Sequence, residues 1–119
     1  MCKTEIDTGN NEYRIGRISA LNDVLRITLL GGKVQQTKGV NALPIGSQDD
    51  AVVQLRAYDS FTPDNDPSGM HDFGEFTVGD HCLFFKIDCY SPDGKGSSEN
   101  IADPRKTLRI LTIMLKSEY

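Results

Sequence analysis

The residues best suited to chemistry lie close together in residues 64–75, which hold four carboxylates, a hydroxyl and a histidine. The candidates are Asp64, Asp66, Ser68, His71, Asp72 and Glu75. Carboxylates and a hydroxyl are ligands for a hard cation, and a histidine beside a carboxylate is suited to acid/base chemistry. The same residues also suit an acidic face that binds a partner, so three interpretations are open.

The first interpretation is a calcium loop. The four acidic residues, a serine and a glycine fall at positions one, three, five, six, nine and twelve of the EF-hand pattern. These residues are Asp64, Asp66, Ser68, Gly69, Asp72 and Glu75. His71 stands where EF-hands usually place an aliphatic residue, Pro67 stiffens position four, and a strand pattern follows instead of a helix. A loop whose aspartates hydrogen-bond their own backbone is the alternative.

The second interpretation is a hydrolytic site that uses His71 as a general base or metal ligand, with Asp72, Asp64 or Asp66 as its carboxylate. The sequence has no nucleophile elbow, phosphate-binding glycine loop or zinc-protease motif. Adjacent His71 and Asp72 need not face one pocket. The sequence therefore leaves catalysis open but favours a protein that is not an enzyme.

The third interpretation, which we favour, follows from the charge distribution. The net charge is −4, yet residues 49–99 carry eleven acidic and three basic side chains, while the flanking segments are each basic by two. Such a segment repels nucleic acid and attracts basic surfaces. We expect the loops 64–75 and 91–105 to meet the basic surface of a nucleic-acid-binding protein, without a cofactor. The partner-binding residues would be Asp64, Asp66, His71, Asp72 and Glu75.

Two helices are predicted to position these loops. Apolar residues recur at three- and four-residue spacing from Ile15 to Leu29, which predicts an amphipathic helix that ends at Gly31-Gly32. Ser47 and Asp50 resemble a capping box, which predicts a second helix over 48–61 that ends before Pro63.

Four strands are predicted around the helices. Residues 33–38 suit a short edge strand, and 75–78 and 81–90 flank Gly79-Asp80 in the pattern of a two-residue hairpin. Residues 107–115 favour a strand, although their spacing does not exclude a helix. The polar segment 91–105 is rich in glycine and proline, which predicts a long, mobile loop.

These elements predict an α+β fold, with two helices packed on a small antiparallel sheet in the order α-β-α-β-β-β. At 119 residues the chain suits a single domain, 1–119, with residues 1–12 frayed. No apolar run is long enough to span a bilayer, and the first residues do not form an apolar signal core. A cytoplasmic protein is expected. The three cysteines show no zinc-site spacing.

Several parts of the chain are similar to a known family. They are the segment 61–67 (Phe-Thr-Pro-Asp-Asn-Asp-Pro), Gly69, the run 71–74, residues 108–114 and the ending Ser-Glu-Tyr. Over roughly residues 15–119 the chain resembles a small bacterial family of unknown function, DUF3768. The resemblance implies no activity, but it implies a mobile-element context, since such families are often found on plasmids and prophages. Small acidic proteins from such elements frequently resemble inhibitors of host defence, including antirestriction and anti-CRISPR proteins.

Overall fold

The computed structural model describes the backbone of residues 2–119 and the side chains of residues 11–119. The elements are α1 (Cys2–Thr28), β1 (Lys33–Gln36), α2 (Lys38–Asn41), α3 (Ile45–Ala57), β2 (Phe73–Val78), β3 (His81–Tyr90) and β4 (Leu108–Leu115). Single 3-10 turns precede and follow β4, at Pro104–Lys106 and Lys116–Glu118. The α+β class is confirmed.

The first helix is amphipathic as expected, with Ile18 and Leu25 fully buried. It ends at Thr28, slightly before the predicted double glycine, because Leu29 itself turns left-handed (φ 63°) while its N–H still bonds to Leu25 O at 2.8 Å. The side chains of residues 1–10 lie outside the described residues, so fraying of 1–12 stays a prediction.

The sheet has the order β1-β4-β3-β2, and β3 pairs antiparallel with both β2 and β4. The expectation of a wholly antiparallel sheet is wrong for β1, which pairs parallel with β4. A parallel pair needs a long connection, and here α2, α3 and the β2–β3 hairpin lie between the two strands. The mixed sheet still places β1 at an edge, as predicted.

The hairpin and the last strand also follow the sequence. Gly79 has φ 57°, the conformation that the first position of this tight turn requires. Strand β2 begins two residues earlier than expected, at Phe73. Residues 108–115 form a strand, which excludes the helical alternative there.

The predicted capping box is wrong. Helix α3 begins at Ile45 because the carbonyl of Pro44 already accepts the N–H groups of Ser47 and Gln48, at 2.9 and 3.0 Å. Ser47 therefore lies inside the first turn. The helix ends at Ala57, before the predicted proline stop, because Tyr58 turns to extended backbone and packs its ring edge-on against Phe85. The single turn α2 was not predicted.

The helices cover one face of the sheet, in agreement with the prediction that they pack on it. Leu83, Phe85 and Ile87 of β3 point into the core, where they meet Leu25 of α1 and Leu55 of α3. On the opposite face, the rings of Phe73, Phe84 and Tyr119 pack edge to face with centroids about 5 Å apart. Within residues 2–119 no helix has the length and apolarity that crossing a bilayer requires.

The 91–105 loop carries its own hydrogen bonds. Ser91 N donates to Gly96 O at 2.8 Å, and the Asp93 carboxylate accepts from Ser91 Oγ and Lys95 N. Asp103 caps the 3-10 turn by accepting from Arg105 N at 2.9 Å. These bonds define the loop's shape, and its mobility stays a prediction.

Candidate functional site

The candidate site begins in the loop between α3 and β2, residues 58–72. The Asn65 side chain closes this loop, since it accepts from Thr62 N at 2.9 Å and donates to Ser60 O at 2.8 Å. Asp66 N also bonds to Thr62 O at 2.8 Å. The turn leaves Asp64 at its exposed tip.

Asp66 was predicted to contact a partner at the surface, but its carboxylate points into the protein. Only 8 % of the residue is exposed, and both carboxylate oxygens accept the N–H of His71 at 3.3 Å. His71 has φ 58°, a left-handed conformation that costs energy in a residue with a Cβ. The Asp66 carboxylate therefore supports the strained turn from inside.

His71 is held from three sides. Its ring stacks on Phe61 with the centroids 4.0 Å apart. Nδ1 lies 2.9 Å from Asp23 Oδ1 on α1, and Nε2 lies 3.7 Å from Asp66 Oδ2. Because both ring nitrogens face carboxylates of the fold, His71 ties the loop to α1 and resembles a structural histidine more than a base that awaits a substrate.

Asp23 also holds Arg26, one helical turn away. Arg26 is 3 % exposed, and its Nη2 lies 3.1 Å from Asp23 Oδ1. Its Nη1 donates to the carbonyls of Leu55 and Arg56 at the end of α3, both at 3.3 Å. Asp23 thus joins α1 to both the loop and α3. Sequence analysis did not single out Asp23 or Arg26, whose three-residue spacing on one helix was the available signal.

A second buried polar link was also missed. Asn22 is 1 % exposed; its Nδ2 donates to Met70 O, and its Oδ1 accepts from Arg109 Nε, both at 2.9 Å. Arg109 also donates to Ile101 O, and burial lowers the pKa of its guanidinium. Through this pair, α1 fixes the end of the 58–72 loop and the later loop before β4.

The other two sequence candidates lie on or beside β2. Asp72 is half-buried, and this burial raises the pKa of its carboxyl. Glu75 is exposed on the strand, accepts from Cys82 Sγ at 2.9 Å and lies 3.7 Å from Lys116 Nζ. The hydrogen bond to Glu75 raises the pKa of the Cys82 thiol.

The structure thus brings together two of the five predicted partner-binding residues, Asp66 and His71. Among the described side chains, no hydrogen bond or ion pair joins Asp64, Asp72 or Glu75 to that pair. Ser68 is exposed. Among residues 11–119 no group of three histidine, cysteine or acidic side chains is spaced to share a metal ion. Calcium binding by this loop stays a prediction.

Four exposed carboxylates lie on β2 or on the segments that precede and follow it in the chain, and we call them the acidic surface: Asp59, Asp64, Glu75 and Asp80. Asp59 and Glu75 line one groove of about 380 Å³ between the end of α3 and β2. Glu75 contacts Cys82, which lines a neighbouring recess with Asp80 and Lys116. Asp59 and Glu75 thus share one groove, the hydrogen bond between Cys82 and Glu75 links that groove to the recess of Asp80, and Asp64 lies on the same loop as Asp59.

The family model described as "Protein of unknown function (DUF3768)" matches residues 36–118, well over half of the chain. The chain belongs to the DUF3768 family. No curated protein and no solved structure matches it.

The DUF3768 match includes the 58–72 loop but not the helix that the loop contacts. It contains the whole 58–72 loop, β2, β3 and β4, whereas α1 precedes it. Asp66 and His71 lie inside the match, while Asp23 and Asn22 lie outside it. The contacts from His71 to Asp23 and from Met70 to Asn22 therefore attach the matched region to the helix before it.

Proposed function

We propose that this DUF3768 protein is a binding protein, not an enzyme, and that its acidic surface occupies the basic surface of a nucleic-acid-binding protein. By doing so it would inhibit that partner, in the manner of antirestriction or anti-CRISPR proteins. The observation that carries the proposal is the exposure of Asp59, Asp64, Glu75 and Asp80 on β2 and on the segments that flank it in the chain.

The charges of the acidic surface are largely uncompensated. Among the described side chains, Asp59, Asp64 and Asp80 have no ion-pair partner, and Glu75 pairs only with Lys116 at 3.7 Å. By contrast, Glu99 and Asp103 of the 91–105 loop pair with Lys106 and Arg105. Because three of the four carboxylates of the acidic surface have no ion-pair partner among the described side chains, we expect the interface on the side of the molecule that carries β2.

Such a surface works through electrostatics and needs no cofactor. Like charges that lie together raise the local potential, which steers a basic partner and speeds association. Carboxylates on this surface would pair with the same arginines and lysines that otherwise hold phosphates. Binding of the protein and of nucleic acid to the partner would then be mutually exclusive.

The position of His71 supports binding over hydrolysis. A general base needs a nitrogen within reach of the substrate proton, and both nitrogens of His71 already face Asp23 and Asp66. We therefore place His71 and Asp66 in the scaffold that presents Asp64 and Asp59, and not in the contact surface itself.

The test uses a tagged protein captured from bacteria that contain active defence systems, followed by identification of stoichiometric partners. The informative variant is Asp59→Asn with Asp64→Asn, since both carboxylates are exposed and unpaired among the described side chains. Asp66 is left intact because its loss would disturb the loop. The matched control, Glu12→Gln with Glu99→Gln, removes the same charge elsewhere on the surface.

The proposal predicts a nucleic-acid-binding partner that is lost with the first variant and retained with the control. Binding should weaken as salt rises, since exposed charges are screened over about 10 Å at 0.1 M. A partner that binds both variants equally would contradict the role of the acidic surface.

A further inference from the structure

An open cleft of about 420 Å³ lies between α1 and the loop before β4, away from the acidic surface. Helix α1 lines it with Tyr13, Arg14 and Arg17, and the loop lines it with residues that include Ala102, Asp103 and Arg105. Three arginines and one aspartate make it basic in a protein whose net charge is −4. The basic residues of the two ends of the sequence meet here.

The helix places its three side chains on one face. Residues three and four positions apart are neighbours on a helix surface, so Arg14 and Tyr13 both lie beside Arg17. Ile18, which follows at once, is fully buried in the core and so fixes the rotation of this turn of the helix. The packing of α1 therefore fixes the direction in which Arg14 and Arg17 project.

Arg17 is held at the wall of the cleft. Its Nε donates to Ala102 O at 2.8 Å, and Ala102 is 7 % exposed. Within residues 11–119 its two terminal nitrogens have no recorded hydrogen bond. A planar guanidinium fixed through Nε keeps its Nη pair for a ligand that presents two oxygens, as a phosphate does.

Arg105 completes the basic wall from the loop side. Its contacts with Asp103 are long, at 3.4 and 3.5 Å, because the Asp103 carboxylate mainly caps the 3-10 turn through Arg105 N at 2.9 Å. Asp103 thus sets the backbone of the loop and neutralises only part of the charge on the three arginines.

Tyr13 adds an aromatic surface. The residue is 72 % exposed although tyrosine is a large, partly apolar side chain. An exposed ring beside arginines is the combination on which nucleobases stack while their phosphates are neutralised. The volume of the cleft is within the range of small-molecule sites.

We infer that the cleft formed by Tyr13, Arg14, Arg17 and Arg105 binds a small ligand of the nucleotide class, with its phosphate on the arginines and its base on Tyr13. This site is separate from the acidic surface and does not depend on it. Because the phosphate contacts are ionic, binding should weaken with salt.

The experiment titrates the full-length protein with adenosine monophosphate, adenosine diphosphate, adenosine and inorganic phosphate, and measures heat or amide chemical shifts. The variants are Arg17→Gln, Arg105→Gln and Tyr13→Ala. Lys95→Gln is the control, because it removes one positive charge from an exposed residue outside the cleft. Circular dichroism checks that every variant is folded.

The inference predicts that the nucleotides bind more tightly than adenosine or phosphate alone, and that shifts concentrate around Arg17 and Ala102. Arg17→Gln should weaken binding about tenfold or more, since it removes charge-assisted hydrogen bonds to the phosphate. Tyr13→Ala should weaken nucleotide binding but not phosphate binding. Lys95→Gln should leave both unchanged.

Three outcomes would overturn the inference. Phosphate binding as tight as nucleotide binding would leave no role for the base. Binding of a short single-stranded DNA without binding of mononucleotides would make this a nucleic-acid surface. Lastly, a folded Arg17→Gln variant that binds as tightly as the Lys95→Gln control would place the ligand elsewhere.

Discussion

His71 and Asp23 are the residues on which the shape of the 58–72 loop depends most directly. Their atoms Nδ1 and Oδ1 lie 2.9 Å apart, and the same Asp23 oxygen lies 3.1 Å from the buried guanidinium of Arg26. Sequence reasoning found His71 and Asp66 because they stand close together in an unusual polar run. It could not find Asp23, since contacts between residues far apart in sequence are set by tertiary packing.

At this scale we predict that Asp23→Asn destabilises the protein. The substitution removes the charge that faces both His71 and Arg26, and it leaves Arg26 buried with only neutral partners. The expected loss in the free energy of unfolding is about 2 kcal/mol, because orphaned buried charges are costly but Asp23 itself is partly exposed. Urea unfolding followed by circular dichroism measures it.

Asp64→Asn is the control for that experiment. Asp64 is exposed at the loop tip, and such surface changes usually stay within about 0.5 kcal/mol. Equal effects of the two substitutions would show that the contact between His71 and Asp23 does not stabilise the loop.

Asp72 gives a prediction about pH. Burial raises the pKa of its carboxyl from the usual 3.8, so the folded state favours the protonated form. The stability that this preference provides is fully present below pH 3.8 and is lost as the pH rises through the raised pKa. At pH 7 the folded protein therefore carries a poorly solvated charge at Asp72.

We expect Asp72→Asn to raise the free energy of unfolding at pH 7, and the gain over the unsubstituted protein to shrink as the pH falls toward 4. Unfolding curves of both proteins at several pH values measure the difference in their free energies of unfolding. A difference that stays constant with pH would contradict the claim that the buried charge of Asp72 causes it.

At the scale of elements, β2 can approach the helix layer closely because Gly74 has no side chain. A Cβ at this position would lie 2.4 Å from a ring carbon of Phe85 and 2.7 Å from one of Tyr58. This contact places the end of α3 against the strand that carries Glu75, and so forms one wall of the groove in the acidic surface.

Gly74→Ala should therefore destabilise the fold by about 1–3 kcal/mol, the usual cost of overpacking. Gly16→Ala is the matched control: Gly16 lies in the interior of α1 with nothing within 4 Å of the added Cβ, so alanine should stabilise the helix by about 1 kcal/mol. Thermal unfolding distinguishes the two. A neutral Gly74→Ala would contradict the close approach.

The elements also show what sequence patterns could predict. The glycine-first turn between 75–78 and 81–90 predicted the hairpin, because turn chemistry is local. The start of α3 was misplaced because the backbone carbonyl of Pro44, and not a side chain, begins the helix. The sequence did not predict the parallel pairing of β1, because the path of the whole chain through the fold decides which strands become neighbours.

At the scale of the whole molecule, charge is separated by folding. The sequence showed an acidic centre between basic ends, but only the fold shows which charges remain available. Carboxylates of the 91–105 loop are paired or cap turns, whereas Asp59, Asp64 and Asp80 have no ion-pair partner among residues 11–119. The basic ends meet separately in the arginine cleft beside α1. The acidic surface and this cleft are thus the two separate places at which we propose binding.

The central claim is that the acidic surface and nucleic acid compete for one basic surface of a partner. The most direct measurement is fluorescence anisotropy of the captured partner's labelled nucleic acid, titrated with this protein, with Asp59→Asn/Asp64→Asn, and with Glu12→Gln/Glu99→Gln. We predict that the protein and the Glu12/Glu99 variant displace the nucleic acid, and that the Asp59/Asp64 variant needs at least about tenfold more protein to do so. A ternary complex without displacement, or equal displacement by all three proteins, would contradict the claim.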